Sequence, residues 1–138
     1  MLRKDFIEKQ LEQLSIAIAK ALSEITKAKG EGKTESAIFI SDELMQREFD
    51  IPLNELISIE SETVIEYLIK KKQLSLAKTE LLADALFASA QVYEDAGKQM
   101  EAENIYKKLM IIYTYINETG KTFSLNREER ITLIKSKI

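Results

Sequence analysis

Residues 86–112 read LFASAQVYEDAGKQMEAENIYKKLMII, and this stretch decides the fold. Apolar residues recur every three or four positions on both sides of a single glycine, Gly97. Such spacing is the mark of packed helices, and a glycine between them lets the chain turn sharply. Extended outward, the pattern predicts one helix over 75–96, stopped by Gly97, and another over 98–119, stopped by Gly120.

The rest of the chain reads the same way. Over 5–29, Ile7, Leu11, Leu14, Ile18, Ala21, Ile25 and Ala28 fall at alternating steps of four and three, and Phe6 and Leu22 widen the stripe. Asp5, with Glu8 three residues on, is placed to cap this long helix, and Gly30 and Gly32 are placed to end it. A second helix is expected over 34–49, with Ala37, Ile38, Ser41, Leu44 and Met45 on one face. Pro52 restarts the chain into a short helix carrying Leu53, Leu56 and Ile57. Ser61 is expected to cap a fourth segment with Val64, Ile65, Leu68 and Ile69. The final helix is expected over 126–137, opened by Asn126 with Glu129 completing the box. No segment alternates with a period of two for more than three or four residues. The expected fold is all-α: about seven helices in antiparallel hairpins, one domain over 1–138, with a hairpin over 75–119.

Composition narrows the chemistry. The 138 residues include no His, no Cys and no Trp. A chain without imidazole or thiolate cannot assemble a Ser-His-Asp triad, a Cys nucleophile or a structural zinc site, whereas carboxylate pairs, Ser-Lys pairs and all-oxygen metal sites remain open to it. It also lacks the commonest general base. No cofactor is expected. The net charge of −3 argues against a nucleic-acid footprint. The basic excess lies at 121–138, where Lys121, Arg127, Arg130, Lys135 and Lys137 face Glu128 and Glu129, as on a solvated final helix. No apolar run is long enough for a signal or a membrane span, so no membrane partner is expected and the default address is the cytoplasm.

Several short patterns imitate function. Gly32-Lys33-Thr34 and Gly120-Lys121-Thr122 end like a phosphate loop, but Lys27 and Tyr115 stand where its first glycine belongs. Lys70, Lys71 and Lys72 suit the C-terminal end of a helix. Asp42-Glu43, Glu94-Asp95 and the Glu101/Glu103 pair lack the alternate oxygens and central glycine of a calcium loop. An enzyme built on carboxylates, or a small-ligand site, would require two of these acids to converge in one pocket.

The segment 83–116 resembles a tetratricopeptide repeat through Leu86, Ala90, Tyr93, Gly97, Ala102 and Tyr106, in that order and spacing. The resemblance implies that small Ala90 and Ala102 let two helices approach, that Tyr93 and Tyr106 fill the groove, and that Gly97 turns the corner. One repeat upstream the pattern fails at Ile59 and Leu68, which gives one hairpin and not an array. The wider layout is similar to an uncharacterised bacterial family of small helical proteins, on Asp5-Phe6-Ile7, Glu12-Gln13-Leu14 and Ile51-Pro52-Leu53-Asn54-Glu55-Leu56. The repeat likeness further implies a peptide-facing surface at Asp84, Phe87, Gln91, Glu94 and Asp95, acidic around one aromatic, for a basic or extended peptide.

These readings lead to a non-catalytic protein-interaction or scaffold module. The alternative is a homodimer assembled through the first helix, whose heptad-like stripe includes Ile7, Leu11, Leu14 and Ile18.

Overall fold

A computed structural model describes residues 2–138. Seven helices follow one another, and the described residues contain no strand. They are α1 (Leu2–Gly30), α2 (Thr34–Phe49), α3 (Leu53–Ser58), α4 (Val64–Glu66), α5 (Leu76–Asp95), α6 (Gln99–Gly120) and α7 (Leu125–Lys135). A 3-10 turn, Ser61–Thr63, leads into α4, which widens into a π-helical stretch, Tyr67–Lys71.

Two hairpins make the frame. α1 pairs with α2, α5 pairs with α6, and α2 and α1 both lie against α5. The loops at 31–33 and 96–98 are too short for anything but antiparallel return. Gly32 and Gly97 stand at φ +72° and +78°, the left-handed conformation that glycine adopts at no steric cost. α5 is the central helix. Leu82, Ala83, Ala85, Leu86, Phe87, Ser89, Ala90 and Val92 are all buried along it, because it has neighbours on nearly every side. Where α2 crosses α5, the buried hydroxyls of Ser41 and Ser89 bond to each other, and Ser89 also donates to the Ala85 carbonyl. Small side chains at that crossing let the backbones approach, and each buried hydroxyl finds its partner.

α3 and α4 pack on α6. The buried Lys108 of α6 ties down α3: its ammonium donates to the Ile57 carbonyl at 3.0 Å, and also to Asn104 Oδ1 of its own helix at 2.8 Å. α7 closes the molecule against α6 through Ile131 and Ile134, with Arg127 donating to Asn117 Oδ1 at 2.6 Å.

Four helix ends differ from the sequence reading. α1 begins before Asp5, so that residue lies in the first turn and adds charge to the helix start. Ser61 lies inside the 3-10 turn and accepts no capping bond. α7 is capped by Ser124, whose hydroxyl accepts from the Arg127 amide at 3.2 Å, and not by Asn126. α6 runs through Gly120, and the left-handed residue is Lys121 at φ +53°. In contrast, Ser75 accepts from the Lys78 amide at 3.1 Å and starts α5 where the pattern places it.

Candidate interaction surfaces

The α5 residues read as peptide-facing do share one side of the helix, and the chain itself covers it. The α7 residue Arg130 sends Nη1 to Asp84 Oδ1 at 2.6 Å and lays its guanidinium 4.8 Å over the Phe87 ring. Just beyond α7, Lys137 reaches Glu94 Oε2 at 2.9 Å. From the end of α1, Lys29 meets Asp95 Oδ2 at 2.6 Å. Phe87 is only 9% exposed, with its other side edge-on to Tyr106 at 6.4 Å. Gln91 is half-buried in the cleft between α1 and α7. The aromatic at the middle of this face is therefore a buried side chain.

The α1 stripe divides in two. Leu14 and Ile18 are buried against the chain's own core, while Leu11 is half-buried and Ile7 is 46% exposed. Length explains the split. α1, at 29 residues, is about 44 Å long and α2, at 16, about 24 Å. Residues 3–10 consequently reach past their neighbour and are exposed throughout.

The hairpin residues lie where two close helices need them. Leu86, Ala90, Ala102 and Tyr106 are buried, Gly97 makes the corner, and Tyr93 is half-buried. The Tyr106 hydroxyl donates to Glu94 Oε1 at 3.3 Å, and burial beside that carboxylate pushes the hydroxyl's pKa up.

A larger open cleft lies elsewhere, between α2, α3 and the α5–α6 corner. It encloses about 690 Å3. Pro52, Leu53 and Ile57 form its apolar side with Phe39, which is 65% exposed. Asp42, Glu43 and Glu101 line it with a single lysine, Lys98, so acids do converge here as a carboxylate-based site requires, with Asp42 taken up by the Tyr93 hydroxyl. The Tyr93 hydroxyl donates to Asp42 Oδ1 and Oδ2 at 2.9 and 3.1 Å. Burial raises the Asp42 carboxyl above its usual range despite that hydroxyl and Lys98, and burial next to Asp42 raises Tyr93. Among the described residues no three acids are placed to hold a metal ion.

Sequence reading misses this cleft because its lining is scattered from 39 to 101. The available signal is Phe39, a large apolar side chain off the buried stripe of α2. Asp42 and Glu43, which diverge along the helix, both line the cleft because α3 folds back across them. Among the described residues no helix is long and apolar enough to cross a membrane. Comparison with protein-family profiles, with curated proteins and with solved structures returns no match to this chain.

Proposed function

We propose that the chain is a non-catalytic protein-interaction module that takes a partner segment in the cleft between α2, α3 and the α5–α6 corner. The observation that carries this is the pairing of an apolar wall with an acidic rim. Phe39, Pro52, Leu53 and Ile57 can bury one apolar side chain, and Asp42, Glu43 and Glu101 attract cations beside it. The occupant is accordingly a short segment with one large apolar anchor flanked by Lys or Arg. The tetratricopeptide likeness of 83–116 agrees with an interaction role and does not itself mark this cleft. Asp42 serves as a tether to Tyr93, which leaves it engaged in holding two helices together.

The test is binding of labelled nonapeptides, each with a central Leu, Phe or Trp between Lys and Arg residues, to the full chain. Binding should strengthen at low salt and weaken about tenfold, or by about 1.4 kcal/mol, in Phe39→Glu and in Glu43→Lys. Both substitutions are at exposed positions. Peptides that ignore both changes would remove the cleft as the site.

A second reading rests on the α1 overhang, where Phe6 is 61% exposed next to Ile7. In an antiparallel pair of overhangs, Arg3 and Lys4 of one copy meet Glu8 and Glu12 of the other. Light scattering at tens of micromolar should then give a dimer that Phe6→Glu returns to monomer. A wild-type monomer would end this reading.

A further inference from the structure

We propose that the cavity between α5, α6 and the start of α7 binds a small zwitterion, its carboxylate held by Arg127 and its ammonium by Glu80. The cavity encloses about 170 Å3 and shares no lining residue with the cleft between α2 and α3. α7 stays in place and forms one of its walls.

The observation that carries this is the state of Arg127. Charge pattern alone sets it on a solvated helix, yet it is only 8% exposed. A buried cation is costly unless an anion accompanies it. Arg127 makes no ion pair among the described residues: Nε donates to Asn117 Oδ1 and Nη2 to the Thr122 carbonyl, both neutral. Its Nη1 donates to nothing in the described chain. No buried side-chain nitrogen or oxygen among the described residues goes without a hydrogen bond, so Nη1 is reached by solvent, and Arg127 lines the cavity. The other guanidinium there, Arg130, is matched by Asp84 at 2.6 Å.

Two hydroxyls line the same space. That of Tyr113 accepts from Arg130 Nη1 at 3.5 Å and gives its own proton to no acceptor among the described residues. Burial raises its pKa, which keeps the proton on the oxygen at neutral pH. Ser124 accepts the Arg127 amide through its oxygen, which leaves its O–H free to donate. A forked guanidinium with hydroxyl donors beside it is the grip a carboxylate needs. A simple anion does not answer the whole lining, because Glu80 is there too, half-buried and with no hydrogen bond or ion pair among the described residues. Arg130 and Asp84 cancel, which leaves one cation and one acid unmatched in the cavity. A ligand that carries an ammonium as well as a carboxylate satisfies both. At roughly 30 Å3 per water, the volume is that of about five or six waters, so the ligand is of amino-acid size.

The test is calorimetric titration of the full chain with glycine, β-alanine and γ-aminobutyrate, set against acetate, methylamine and inorganic phosphate. At least one of the three zwitterions should bind saturably, and at least tenfold more tightly than any of the singly charged probes or phosphate. Glu80→Gln removes a side chain that holds nothing in the described chain, so the fold should persist while zwitterion affinity falls at least tenfold and acetate affinity does not fall. Arg127→Gln should weaken zwitterions and acetate alike, by tenfold or more; if that variant does not fold, Glu80→Gln decides alone. Four results would overturn the proposal: no saturable binding of any zwitterion, a control probe binding within tenfold of the tightest one, Glu80→Gln losing less than tenfold, or a folded Arg127→Gln binding like wild type.

Discussion

Tyr93 and Asp42, 51 positions apart in the chain, are joined by one hydroxyl that donates to both carboxylate oxygens at 2.9 and 3.1 Å. The bond ties α5 to α2 at the wall of the cleft, a few residues from the glycine corner. It sets the shape of the cleft and leaves a carboxylate half-buried at its edge.

Removing the hydroxyl by Tyr93→Phe should cost about 1–2 kcal/mol, because Asp42 then keeps its burial and loses its donor. Asp42→Asn preserves an acceptor and removes the buried charge. The folded-state pKa of Asp42 is raised above 3.8, so the folded state binds this proton more tightly than the unfolded one. Its favourable contribution is present below that value and is lost as pH rises through the folded pKa. Asp42→Asn should therefore melt at or above the wild-type temperature at neutral pH, and the advantage should disappear below about pH 4. Thermal melts over that range check both statements.

Lys108→Met keeps the aliphatic packing of α6 and takes away the donor to the Ile57 carbonyl. A loss of about 1–2 kcal/mol is expected. Burial lowers the pKa of Lys108 below 10.5, so wild-type stability from this group increases as pH climbs through the folded pKa towards 10.5. Denaturant titrations of the two proteins should show the gap widening in alkaline buffer.

Gly97→Ala should cost about 1 kcal/mol from backbone conformation alone, since φ is +78° and an added Cβ meets nothing within 4 Å. Gly97→Asn should cost less, because Asn tolerates the left-handed region better. Equal melting temperatures for the alanine and asparagine variants would contradict this account of the corner.

Ala90 is fully buried along α5. Ala90→Trp should overpack its surroundings and cost about 1–3 kcal/mol or more. A melting temperature within a degree or two of wild type would show that α5 is not packed as described.

The frame was legible because it depends on local spacing. α2 covers 34–49 as read, since Thr34 follows a glycine loop and Pro52 blocks continuation. The corner at Gly97 is equally local. The helix starts at Leu2 and Leu125 were missed because a cap is a contest between nearby polar residues that sequence alone does not decide. The π-helical stretch Tyr67–Lys71 carries no periodic signal of its own. Both interaction surfaces depend on pairings at long separation. The acids of α5 could be placed on one side from their spacing, but that Arg130 comes back 46 positions to meet Asp84 follows from how α7 docks. The cleft needed the path of α3, which brings Pro52, Leu53 and Ile57 opposite Phe39.

The most direct test of the interaction role is backbone amide shift mapping on the full-length protein, titrated with the tightest of the basic, apolar-anchored nonapeptides. The account predicts saturable shifts concentrated at Phe39, Asp42, Leu53, Tyr93 and Glu101. No saturable shifts, or shifts confined to surfaces away from α2, α3 and the α5–α6 corner, would contradict it.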